Sequence, residues 1–175
     1  MLQIKSIKRL LGKYSGNTGL LLVLILLCGL VLRSVFFSGM GTSDDLAYSM
    51  YAANIGKGID SESVLTLSTR LGIIYPTALS YKLFGINDFS SVVFVLITSL
   101  ASIILIFYFG KLLFSERIGL MAAFLLSFFP LDVFYSTKLF TDLPSALFMA
   151  LGVYFFLYSE LKIKLRYGVG YMLSG

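Results

Sequence analysis

TGLLLVLILLCGLVLRSVFFSGMGTSDD, residues 18–45, decides what kind of protein this is. A helix needs about 20 mainly apolar residues to cross a hydrocarbon core. The uninterrupted part of this run, 19–32, is a little short of that. Arg33 interrupts it near one end, where a long side chain can snorkel to the headgroups, and Val35, Phe36 and Phe37 then extend it. The segment before it carries Lys5, Lys8, Arg9 and Lys13 and no acid. A basic flank predicts a cytoplasmic N-terminus and a first transmembrane helix over 18–38. A long signal peptide is the competing reading, but Val35, Phe36 and Phe37 lengthen the apolar run beyond an ordinary signal core. The run therefore delivers Asp44 and Asp45 to the extracytoplasmic side.

Composition agrees with a membrane protein. The 175 residues are 58% hydrophobic and 13% charged, against about 45–50% and about 25% in soluble domains. The net charge of +5 lies in clusters between apolar runs, so it argues for membrane topology and not for nucleic acid. The single cysteine, Cys28, excludes an internal disulfide. Histidine is absent, which leaves acid–base work to Asp, Glu, Lys or Tyr.

The predicted fold is an all-α, polytopic transmembrane bundle with an interfacial helix in its first extracytoplasmic loop. Residues 1–17 form the cytoplasmic N-terminus and 39–88 the first outer loop. Within that loop 43–55 predicts a helix, with Leu46 and Met50 on one face and Tyr48, Tyr51 and Ile55 on another, stopped by Gly56 and Gly58. A polar, irregular stretch follows over 57–69. Residues 71–84, broken by Pro76 and Lys82, predict a half-buried helix. Second and third spans are expected over 89–114 and 118–135, joined by a turn at 114–117. Ser91, Thr98 and Ser102 mark a small polar stripe on the second, and Gly119, Ala123 and Ser127 a packing seam on the third. Pro130 should kink or end the third span. A short outer loop over 132–142 precedes a fourth span, 143–159, then a basic segment with Lys162, Lys164 and Arg166. The segments placed inside all carry Lys and Arg clusters. A further apolar run starts at Tyr167 and stops too soon to span, so the sequence reads as the N-terminal part of a longer transmembrane domain.

Asp44 and Asp45 are the first candidates for chemistry. Capping explains them as well, because carboxylates suit a helix's first turn and Ser43 suits its N-cap. Asp142 has the same alternative, with Thr141 or Asp142 capping the fourth span and Pro144 tolerated in its first turn. Topology favours function: both acidic positions fall at the outer membrane face. Together they could hold a divalent ion, Mg or Mn, or one could take a proton. Lys138 and Arg70 could oppose a phosphate, or serve as interfacial anchors. Tyr48 and Tyr51 read as interface-belt aromatics, Asp132, Asp88 and Glu62 as solvated loop residues.

The ordered series Ser43-Asp44-Asp45-Leu46-Ala47-Tyr48, Ala52, Gly58, Arg70-x-Gly72-x-x-x-Pro76, Tyr81-Lys82-Leu83-Phe84-Gly85, Gly110-Lys111-Leu112-Leu113-Phe114, Pro130-Leu131 and Phe140-Thr141-Asp142 resembles the GT-C glycosyltransferases. The branch it is similar to is the protein O-mannosyltransferase and aminoarabinose-transferase-like group. The resemblance implies a lipid-linked sugar donor and an extracytoplasmic acceptor. It implies that Asp44 is a general base or metal-associated carboxylate, that Asp45 stands where many members carry Glu, and that Asp142 is the second-loop acid of metal or active-site organisation. Lys138 would be a basic residue near the donor phosphate. Two other functions stay open on sequence alone: a non-catalytic membrane subunit or inactive fragment, and a transporter. A transporter would favour ionisable residues at mid-span, whereas here they cluster at the ends.

Overall fold

The computed structural model describes residues 17–41, 43–56 and 70–173, with the side chains of 17–41, 44–55 and 70–161. The expectations for residues 1–16 and 57–69, including Glu62 and Gly58, lie outside them, as do those for the side chains of Ser43, Lys162, Lys164 and Arg166. Seven helices occur among the described residues: α1 Thr18–Val35, α2 Ser43–Gly56, α3 Leu71–Phe84, α4 Asp88–Leu113, α5 Glu116–Ser127, α6 Pro130–Tyr135 and α7 Asp142–Leu173. The fold is an all-α membrane bundle. Three segments are long and apolar enough to cross a bilayer: α1, α4 and residues 142–161 of α7.

The expected third span is built in two pieces. α5 has 12 residues, about 18 Å at 1.5 Å per residue, too short to cross alone. Phe129 is extended, as a residue before proline is pushed to be, and Pro130 opens α6 at a position that has no need of its missing N–H. Beyond it, α7 runs helical to Leu173, so the basic segment after the fourth span and the apolar run from Tyr167 continue one helix.

Local chemistry sets the helix starts. Asn87 accepts from Ser90 N at 2.8 Å while Ser90 Oγ accepts from Asn87 N at 3.1 Å, a reciprocal cap that starts α4. Ser115 caps α5 by accepting from Ile118 N. The α4–α5 hairpin then closes on glycine. A Cβ added to Gly110 would lie 2.5 Å from the Gly119 Cα, so only glycine permits that approach. Gly119, Ala123 and Ser127 are all buried, as the seam predicted.

α1 packs on the Ser127 end of this hairpin, where its Arg33 is buried. The Arg33 guanidinium pairs with Asp132 and donates to Ser99 Oγ at 2.9 Å, to Gly29 O at 2.9 Å and to Ser127 O at 3.3 Å. Ser99 Oγ also donates to Asp132. Ser127 lies at the break before Pro130, so Arg33 satisfies a carbonyl there. Two expectations are corrected here. Arg33 does not snorkel and Asp132 is not solvated; they are 1% and 6% exposed. A charge that finds a full set of partners inside the bundle has no need to reach the headgroups.

α2 and α3 form a cap over one end of α4. Tyr48, Tyr51, Ala52, Ile73, Ile74, Ala78, Tyr81, Val95 and Leu139 make its core. The Tyr81 hydroxyl bonds Ser49 Oγ at 2.6 Å and Ser91 Oγ at 2.7 Å, joining α2, α3 and α4.

Candidate active site

The two acids of α2 have different surroundings because neighbours on a helix point about 100° apart. Asp45, Tyr48, Ser49 and Ala52 follow the i, i+3, i+4, i+7 stripe that faces the core, and all are buried. Asp44 points outward and is exposed. Leu46 and Met50 are exposed on the opposite side from the tyrosines, as expected. Tyr48 and Tyr51 are not belt aromatics: both are buried, Tyr48 completely. The size of a tyrosine ring makes it a core residue wherever its hydroxyl can find a partner.

That partner is Arg70. Its guanidinium donates to the Tyr48 hydroxyl and, at 3.2 Å, to Thr141 Oγ1, and it lies 5.7 Å from the centre of the Tyr48 ring. Arg70 thus ties α2 and the start of α3 to the start of α7. It also lines an open cavity of about 340 Å³ with Gly72, Ile73, Thr141, Pro144, Ser145 and Phe148. The ion pairs among the described residues are Arg33–Asp132 and Lys111–Glu116, so Arg70 holds hydroxyls and no carboxylate there. Burial pushes the Tyr48 hydroxyl above its ordinary pKa. The Arg70 charge opposes that, and the charges of Asp44 and Asp142 add to it. The charges of both exposed acids thus reach the same phenol.

Lys138 is elsewhere. It is 8% exposed, its Nζ donates to Gly39 O at 2.9 Å, and it sits 5.5 Å from the centre of the Phe134 ring. It does not line the Arg70 cavity. Asp45 is tied to the same turn from the other side: Gly41 N donates to Asp45 Oδ2 at 3.2 Å, and Asp45 Oδ1 has no partner.

Three pairings bring the two loops together. Arg33 meets Asp132, Ser38 meets Thr137 and Lys138 meets Gly39, each across 99 residues of sequence. A constant offset with both numbers rising means that the exit of α1 and the chain from α6 onward run side by side in one direction. Asp44 and Asp142 lie just beyond, on the same side of the bundle. No spacing in the sequence carries that offset. Arg33 and Asp132 did share a predicted level at the ends of two spans, and that was the signal by which their pairing could have been found.

No group of three or more His, Cys, Asp or Glu comes together among the described residues. Asp44 and Asp142 fit only the open type of oxygen site, in which Mg keeps several waters and binds one or two carboxylates and a substrate phosphate.

Comparison with known proteins gives one result. No curated protein and no solved structure matches the chain. The family model described as dolichyl-phosphate-mannose-protein mannosyltransferase matches residues 71–175. That stretch contains Asp132, Lys138 and Asp142 and begins just after Arg70, so the match does not extend to Asp44 and Asp45. With most of its length covered by that model and an all-α membrane bundle to carry it, the chain belongs to the dolichyl-phosphate-mannose-protein mannosyltransferase family of GT-C membrane glycosyltransferases.

Proposed function

We propose that the chain transfers a sugar from a polyprenyl- or dolichyl-phosphate donor to an extracytoplasmic acceptor hydroxyl, with Asp44 as base and Arg70 as the cation facing the donor phosphate. The observation that carries this is Arg70, held by two hydroxyls at the mouth of a cavity, with Asp44 and Asp142 acting on the same Tyr48 phenol. A guanidinium with no carboxylate partner among the described residues is suited to a phosphate.

In the reaction Asp44 takes the acceptor's hydroxyl proton as that oxygen attacks the anomeric carbon. The bond from that carbon to the phosphate oxygen breaks, and its electron pair leaves with the polyprenyl phosphate. A phosphate leaves readily, so no strong acid is needed, and Arg70 offsets the charge that develops on it. One displacement inverts the anomeric centre; a retained configuration would rule this route out. Asp142 orients the site, and with Asp44 it could hold an Mg or Mn ion. Such an ion would supply positive charge at the phosphate. Tyr48 stays protonated and holds Arg70. Asp45, buried and turned from the cavity, holds the loop.

The test uses membranes containing the intact protein, dolichyl-phosphate mannose, and Asp44→Asn and Asp142→Asn at matched expression. Asp44→Asn should lose about 100- to 10,000-fold in kcat, the usual worth of a positioned base. Near wild-type rates in both variants would remove the site assignment. No transfer by wild type with mannosyl, glucosyl or aminoarabinosyl donors would favour a transporter or a non-catalytic subunit.

A further inference from the structure

We propose that Lys138 is a positioning residue, one that acts on the acidic pair through the turn 39–41 and not by touching donor phosphate; as a statement about catalysis this rests on Asp44 being the base. Two charged side chains hold the turn by hydrogen bonds, and a third lies beside it. Lys138 Nζ donates to Gly39 O at 2.9 Å. Asp45 Oδ2 accepts from Gly41 N at 3.2 Å. The carboxylate of Asp88, at the start of α4, lies 3.0 Å from where a Gly39 Cβ would be.

Both glycines are explained by this grip. Gly39 has φ of +65°, a left-handed conformation that glycine adopts freely and other residues rarely do. A Cβ on Gly41 would lie 3.0 Å from Lys138 Nζ, so the lysine fills the space a side chain would take. Lys138 comes from the loop after α6 and Asp45 from the first turn of α2. The ammonium therefore links the loop leading to Asp142 with the loop leading to Asp44. It is the last rung of the constant-offset pairing that begins at Arg33 and Asp132. Asp44 is the next residue to Asp45 on α2, so a shift of the turn moves the base directly. A displacement of about 1 Å can cost about 100-fold in rate.

The experiment compares wild type with Lys138→Met and Gly41→Ala in the intact protein, in membranes or detergent. Hydrogen exchange over residues 37–45 and steady-state transfer from dolichyl-phosphate mannose are both read. For Lys138→Met we expect exchange over 37–45 at least tenfold faster, α4–α5 protection unchanged, kcat lower by about 100-fold and donor KM within about twofold. Gly41→Ala, which keeps the ammonium but crowds it, should move both readouts the same way by less. A donor KM raised tenfold or more at unchanged kcat would make Lys138 a phosphate ligand and overturn the proposal. So would unchanged exchange over 37–45. If Lys138→Met loses α4–α5 protection, Gly41→Ala decides by the same criteria. If wild type transfers no sugar, the functional reading fails separately, and the exchange rates alone decide whether Lys138 holds the turn.

Discussion

Arg33 and Arg70 are the same side chain in opposite circumstances. Arg33 is enclosed, with Asp132 as counter-charge and Ser99, Gly29 and Ser127 taking its other N–H groups. Arg70 is exposed, held by the hydroxyls of Tyr48 and Thr141, and open to a cavity. The first is complete without a ligand; the second is oriented but not neutralised by any described residue. A charge neutralised and bonded inside the protein holds the protein together, whereas one held only by hydroxyls is left to act on something else.

The comparison breaks if the two sites respond alike to truncation. The largest effect is expected at the closed one. Arg33→Met leaves Asp132 buried and uncompensated, which should cost about 3–5 kcal/mol of stability, read as thermal inactivation of the purified protein. The double variant Arg33→Met/Asp132→Leu should recover most of that loss, because an apolar pair replaces a buried ion pair at little cost. At the open site Arg70→Met should cost less stability, about 1–3 kcal/mol for the Tyr48 hydroxyl left without its partner, and lower the transfer rate about 100- to 1,000-fold, as for other donors that stabilise developing charge. A large drop in stability there would merge the two classes.

Smaller changes sharpen the contrast. Thr141→Val removes one of the two hydroxyls holding Arg70. It should raise donor KM about tenfold, just under the low end of the range of about 1.5–3 kcal/mol for a hydrogen bond to a charged group. The smallest effect concerns pH. Burial raises the Tyr48 pKa above 10.0, so the folded state holds this proton more tightly than the unfolded one. Its contribution to stability is whole below pH about 10 and is lost as pH rises through the folded value. A spectrophotometric titration of wild type against Tyr48→Phe should show one phenol ionising late.

Much of this was legible in the sequence, for reasons local to the chain. The seam Gly119-Ala123-Ser127 follows from small residues at a helical repeat, and the stop at Pro130 from an absent N–H. The two faces of α2 follow from where its apolar residues fall. What could not be read was burial, which depends on partners far along the chain. Arg33 and Asp132 each look like boundary charges until they are seen 99 residues apart and in contact. Tyr48 looks like a belt residue until Arg70 is found on its hydroxyl. Lys138 and Arg70 were indistinguishable as cations of an outer loop, and only the Gly39 carbonyl and the cavity separate them.

The Arg33–Asp132 pair also has a history within each molecule's synthesis. Asp132 is made 99 residues after Arg33, about 5–20 seconds later at about 5–20 residues per second. During that interval Arg33 lacks the acid it pairs with in the fold, and a snorkelling side chain is how a lone helix tolerates such a charge. The headgroup-seeking posture suggested by the sequence is the one expected of a nascent chain at that stage. When α6 arrives the acid is there to meet the guanidinium, and a charge read from the sequence as marking where the membrane ends instead joins α1 to α6.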